Sequence, residues 1–167
     1  MKSYRYRIVD VFTEMPLEGN ALAVFPDATG LDAQHMQKIA RELNLSETTF
    51  VVPSSRPGCV VGVRIFTPTR EMLFAGHPTI GTSFVLLEEG IVPANTEHFV
   101  LDDKVGPFQF VWSRANAHSF GFALLPSARG SSSAAPFARR SSDFRSTTCS
   151  LLPPNSSAPA IQRSSSG

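Results

Sequence analysis

Cysteine is scarce in this chain of 167 residues: there are two, Cys59 and Cys149, and they stand far apart with no metal-ligand or redox spacing between them. A reduced, cytoplasmic protein is the simplest reading. Long apolar runs are also missing. Met1-Lys2-Ser3-Tyr4-Arg5-Tyr6-Arg7 leads directly into a short strand pattern, so no signal peptide is expected, and no stretch approaches the length needed to span a membrane.

Charge is unevenly absent. Up to Trp112 there are 9 Lys+Arg against 13 Asp+Glu, whereas from Ser113 onward there is no Lys and one acid, Asp143, against 6 Arg and 15 Ser among 55 residues. The net charge of +1 therefore averages two unlike parts. Residues 1–112 hold enough Val, Ile, Leu and Phe to form a globular lobe. Residues 113–167 are rich in Ser, Arg, Pro and Ala and lack the apolar periodicity that offsets ordering entropy, so an irregular tail is expected there. The change near Ser113 reads as a shifted reading frame or a truncated gene. The tail arginines have no interleaved aromatic platform, so nucleic acid is not an expected partner.

Within the lobe, Tyr6 to Phe12 alternates Arg7, Val9 and Val11 against Ile8, Asp10 and Phe12, and Asn20 to Phe25 is a short apolar run; both are predicted strands. Ala33 to Leu43 places Met36, Ile39, Ala40 and Leu43 on one helical face, with Asp32 positioned to cap it. Thr48 to Val52 and Val60 to Phe66 are predicted to pair, and Phe99 to Leu101 with Phe108 to Trp112 reads as a late hairpin. The helix from about Pro78 to Glu89 is apolar around most of its circumference, which places it inside the fold. Strands on either side of one buried helix give an α+β lobe, a mixed, curved sheet wrapped around a central helix.

Two stretches carry chemistry. Phe74-Ala75-Gly76-His77-Pro78-Thr79-Ile80-Gly81 puts a titratable side chain and free backbone N–H groups at the start of the buried helix, where a carboxylate or developing oxyanion is favoured. Leu45-Ser46-Glu47-Thr48-Thr49-Phe50 puts one carboxylate where a helix runs out into a strand. At the lip of a closing cleft, such a carboxylate is suited to take and return a proton. Asp10 and Glu71 are read as local structural groups, Glu71 as a partner of Arg64. His35 and His98 are read as structural or solvated.

These motifs, with Val9-Asp10-Val11-Phe12-Thr13, Gly19-Asn20-Ala21-Leu22-Ala23-Val24 and Arg64-Ile65-Phe66-Thr67-Pro68, resemble the PhzF-type phenazine-biosynthesis isomerase family in order and spacing. The resemblance covers the first 112 or so residues and implies one lobe of a diaminopimelate-epimerase-like fold, in which the substrate sits between two similar lobes. It further implies a cofactor-independent isomerase in which Glu47 is the single acid/base on a small carboxylate-bearing substrate, with Gly76, His77, Asn20 and Ser46 binding that substrate. No metal is expected, and a homodimer is a possible assembly by the same resemblance. Amino-acid epimerases of the wider fold use two opposed cysteines, but Ala75 stands where one thiolate would be, so a one-carboxylate mechanism is preferred. After Trp112 nothing resembles the second lobe's polar residues, and no role is carried onto Asp143. The alternative reading is a non-catalytic single lobe that at most binds a partner or a small carboxylate.

Overall fold

The computed structural model describes residues 2–13, 17–113, 119–124, 135–138 and 145–151. Its strands are β1 (Lys2–Val11), β2 (Asn20–Phe25), β3 (Glu47–Val52), β4 (Val61–Phe66), β5 (Glu71–Met72), β6 (His98–Asp103), β7 (Gly106–Ser113), β8 (Ser119–Leu124), β9 (Ala135–Ala138) and β10 (Arg145–Leu151); its helices are α1 (Ala33–Leu43) and α2 (Gly76–Glu88). The strands form one sheet in the order β10-β1-β2-β3-β4-β6-β7-β8-β9, with β5 alongside β4. The pairs β2–β3 and β4–β6 are parallel and the others antiparallel, so the sheet is mixed, as expected.

Side-chain alternation divides the core in two. On one face Val9, Val11, Leu22, Val24, Val51, Val63 and Ile65 pack with Ile80, Val85 and Leu86 of α2. On the other, Tyr4, Tyr6, Ala23, Phe25, Phe50 and Phe66 pack with Met36, Ile39, Ala40 and Leu43 of α1. Rings run across the strands on this second face. Tyr6 stacks on Phe25 at 5.1 Å and Phe25 on Phe50 at 4.8 Å, and Phe66 meets Phe50 edge-on at 5.5 Å.

Helix α2 runs against β1, β2, β3 and β8, and Pro78 through Leu86 are all buried, so it is the central helix anticipated from its all-round apolar sequence. It lies close to the sheet because of Gly81. A Cβ there would stand 2.6 Å from Leu22 Cδ2 and 2.9 Å from Val11 Cγ2, closer than packed carbons tolerate. At its far end Glu89 accepts from Arg7 at 2.7 Å, which places a cation beside the helix C-terminus and ties α2 to β1.

Part of the stretch expected to be irregular is placed in strands. The last residue of β7 and all of β8, β9 and β10 fall within residues 113–167, and β10 pairs with β1 from Lys2↔Leu151 to Ile8↔Arg145. Composition reports how much side-chain surface a segment can bury, whereas a strand added at a sheet edge is held through backbone N–H and C=O groups that any residue but proline can supply. Asp143 and the rest of the tail lie outside the described residues. Among the described residues no helix is long and apolar enough to cross a membrane.

Candidate active site

The site forms where the start of β3 meets the start of α2. Helix α1 ends on Asn44 in the left-handed conformation (φ 51°), whose N–H bonds Ala40 O at 3.1 Å, so the chain reverses within Leu45-Ser46 and enters β3 at Glu47. Parallel pairing sets Glu47 beside Leu22 of β2. A hydroxyl pair fixes α2 against the same strand: Thr49 Oγ1 and Thr82 Oγ1 are 2.8 Å apart and both residues are fully buried. Two polar groups inside the apolar core thus satisfy each other and hold helix to strand.

This arrangement brings together residues that lie 30 positions apart in the chain. His77 Nε2 stands 3.2 Å from Glu47 Oε2, with the His77 side chain 10% exposed and that of Glu47 18%. The distance is that of an ion pair, yet neither buried atom has a hydrogen-bond partner within the protein, because the carboxylate oxygen lies off the line of the ring N–H. Asn20 approaches the other ring nitrogen, its Nδ2 lying 3.5 Å from His77 Nδ1. Assigning the Asn20 amide as the donor at Nδ1 puts the ring proton on Nε2, on the Glu47 side of the ring. Burial holds the imidazole below its ordinary pKa by disfavouring the charged ring, and the Glu47 carboxylate opposes that shift without overcoming it. His77 is therefore a neutral donor at physiological pH.

Backbone donors complete the site. Helix α2 starts at Gly76 after Ala75, whose side chain cannot cap, so the first-turn N–H groups of Gly76 and His77 have no side-chain cap at the end of α2 that carries the His77 ring. Pro78 has no N–H to lose in that turn. Of the sequence candidates, Glu47, His77, Asn20 and Gly76 therefore converge. Ser46 is adjacent to them, but its hydroxyl makes a long contact, 3.4 Å, to Ala21 O of β2.

The residues read as structural behave so. Asp10 Oδ2 accepts from Leu17 N–H at 2.9 Å, Glu71 is gripped by Arg64 at 2.7 and 2.9 Å, and His35 sits 2.9 Å from its capping partner Asp32. A separate cavity of about 360 Å³ lies past the opposite ends of β3 and β4, lined by Arg56, Arg64, Asp102, Asp103 and Lys104. Its bases are already matched with acids: Arg56 with Asp102 at 2.9 Å, and Arg64 and Lys104 with Glu71. Burial pushes the Asp103 carboxyl up to about 6. Among the described residues no group of three or more His, Cys, Asp and Glu could hold a metal ion.

Sequence reading missed three contributors. Thr49 and Thr82 looked like ordinary strand and helix residues, and only their β-branched hydroxyls inside apolar runs hinted at pairing. Phe12 was read only as one of the alternating residues of a strand and given no site role, yet its ring centroid lies 6.5 Å from that of His77.

The sequence profile of the phenazine biosynthesis-like protein family matches residues 9–123, well over half of the chain. The chain belongs to this family. It is 46% identical over 120 residues to an uncharacterized isomerase of Mesorhizobium japonicum, covering 72% of this chain and 39% of that protein. It is also 46% identical over 113 residues to a trans-2,3-dihydro-3-hydroxyanthranilate isomerase of Pseudomonas chlororaphis, covering 68% and 39% of the two. The chain thus spans about 39% of the length of these curated relatives. Among solved structures, a PhzF family phenazine biosynthesis protein of Bacillus anthracis superposes with a TM-score of 0.66 at 30% identity, over 74% of this chain and 41% of its own. The mixed α+β lobe is accordingly of the PhzF, diaminopimelate-epimerase-like kind.

Proposed function

We propose that this chain carries the acid/base half of a PhzF-type isomerase site, with Glu47 moving a carbon-bound proton on a small carboxylate-bearing substrate. The observation that carries the reading is the pair of buried, hydrogen-bond-free atoms, Glu47 Oε2 and His77 Nε2, 3.2 Å apart at the uncapped start of α2. Buried polar atoms without partners are rare unless a ligand completes them. A carboxylate-bearing molecule entering here meets the Gly76 and His77 N–H groups and the positive end of the α2 dipole.

The division of labour follows from charge. Glu47, as carboxylate, accepts the proton from a carbon made acidic by an adjacent unsaturated or carboxyl-bearing group. The resulting carboxylic acid then returns the proton at a neighbouring carbon, so no net proton is consumed. His77, neutral and protonated on Nε2, hydrogen-bonds to the substrate or to Glu47 without adding a second charge, and Asn20 keeps that tautomer. Ser46 borders the same opening. The named activity of the Pseudomonas relative, an isomerase acting on a dihydro-hydroxyanthranilate, belongs to the class of chemistry this pair supports. Residues 1–112 form the acid/base lobe in this reading, and the relatives' additional length supplies the facing wall.

Solvent-deuterium incorporation tests it. NMR of a panel of unsaturated carboxylates and amino acids incubated in heavy water with the protein should show exchange at one carbon. Glu47→Gln, which keeps shape and removes the base, should slow it by roughly 10²- to 10⁴-fold. Exchange of equal rate in both proteins contradicts the role of Glu47. Carboxylate binding without any exchange favours the second reading, a single lobe that only binds.

A further inference from the structure

Phe12 breaks two rules at once. Its backbone is left-handed, with φ 66°, a conformation that bulky L-residues seldom adopt and that clusters at functional sites when they do. Its ring is 53% exposed, whereas Tyr6, Phe25, Phe50 and Phe66 are all at least 98% buried. The two departures have one geometric effect. In a continued strand, Phe12 would follow Tyr4, Tyr6 and Ile8 onto the α1 face, because successive side chains alternate. The positive φ ends β1 at Val11 and turns the ring instead toward α2, where it stands 6.5 Å from His77 with the ring planes at 60°.

The turn is held in place from behind. Gly19 is packed so tightly under this segment that a Cβ there would lie 2.5 Å from Thr13 Cγ2 and 2.7 Å from Val11 O, so Val11 to Thr13 has little room to relax. Asp10 secures the same connection by accepting from Leu17 N–H. A glycine at position 12 would adopt this backbone without strain. The sequence instead keeps a large aromatic ring there, exposed and beside the imidazole.

We infer that Phe12 is a specificity-determining residue: its ring is the apolar wall beside the Glu47–His77 pair, and it selects carboxylates whose reacting carbon belongs to a flat, unsaturated framework. Gly76 and His77 hold the carboxylate, the polar pair faces the reacting carbon, and the Phe12 ring meets the face or edge of the conjugated system. Aromatic contacts of this kind prefer offset or edge-on geometry. The inference rests on the acid/base reading of Glu47 for what the selected ligand undergoes, but not for the selection itself.

The test uses benzoate and acetate as probes of the intact chain, followed through the backbone amide signals of Gly76 and His77 and the His77 ring signals. Benzoate should bind roughly 3- to 10-fold more tightly than acetate, the range that one aromatic contact supplies. Phe12→Gly should reduce that preference to within about 2-fold while acetate binding stays the same. Its thermal midpoint should be equal to or above that of the wild type, because glycine relieves the backbone; a merely structural phenylalanine would lower it. Equal affinity for the two probes in the wild type, an undiminished preference in Phe12→Gly, or a lowered midpoint overturns the inference. The two readings fail separately. A benzoate preference without Glu47-dependent exchange retains the wall and removes the base, and Glu47-dependent exchange without the preference does the reverse.

Discussion

The two helices solve the same end problem in opposite ways. Helix α1 closes its own N-terminus, with Asp32 accepting from His35 N–H at 2.8 Å, and it shows one apolar stripe to the core and a polar face to solvent. Helix α2 has Ala75 in the capping position, with an extended backbone suited to a cap and no side chain to provide one, although nearly all of its first three turns are buried. A helix that serves only stability satisfies its terminal donors locally. Helix α2 leaves them uncapped beside Glu47 and His77, which is where the proposed substrate carboxylate would enter.

The same contrast explains how each helix is anchored. Helix α1 is held by Met36, Ile39, Ala40 and Leu43 against aromatic rings and by Gln37 donating to Thr67 O at 2.9 Å at its edge. Helix α2 adds two devices that fix register: the closely packed Gly81 and the Thr49–Thr82 hydroxyl bond. Register matters for α2, because a shift of even one ångström would move His77 away from Glu47.

The largest expected effect on this comparison comes from breaking that bond. Thr49→Val strands the Thr82 hydroxyl in the apolar core and should lower stability by about 1–3 kcal/mol in chemical denaturation. The double variant Thr49→Val/Thr82→Val strands nothing and should recover most of the loss. If the double variant is as unstable as the sum of the singles, the hydroxyls do not act as a pair.

A smaller and opposite pair of effects comes from exchanging the caps. Asp32→Ala removes a solvent-exposed cap and should lower stability by about 0.5–1 kcal/mol. Ala75→Asp supplies α2 with the cap it lacks and should raise stability by up to about 1 kcal/mol, while its carboxylate occupies the His77 N–H, the one donor a cap can reach because Pro78 has none, and repels an incoming carboxylate, weakening benzoate binding at least tenfold. A destabilised Ala75→Asp that still binds benzoate would mean that the first-turn N–H groups are not a ligand site.

Much of this could be read from the chain. Met36, Ile39, Ala40 and Leu43 recur at helical spacing and Asp32 precedes them, so α1 was evident within a residue of its ends; the all-round apolar run after Pro78 marked α2 as central. Local patterns also isolated Glu47, Gly76 and His77 as candidates, and the family resemblance added Asn20. Their convergence was beyond local patterns, since it depends on parallel pairing of β2 with β3 and on Gly81 setting the depth of α2. Phe12 drew no attention because alternation assumes an unbroken strand, and nothing in Val11-Phe12-Thr13 signals a left-handed residue. The strands placed after Ser113 were not legible because backbone pairing leaves almost no trace in composition.

The most direct test of the buried acid/base pair is a pH titration of the His77 ring by NMR, in the wild type and in Glu47→Gln. Burial lowers the His77 pKa and the Glu47 carboxylate partly raises it again. The wild-type midpoint should therefore lie below the ordinary histidine value near 6.5, and Glu47→Gln should move it lower still. The native state then binds fewer protons than the unfolded chain between that midpoint and 6.5, so the stability contributed by neutral His77 is complete above 6.5 and is lost as pH falls through the window. A midpoint at or above 6.5 that does not respond to Glu47→Gln would mean that the two side chains are solvated strangers, and the acid/base site proposed for them would not stand.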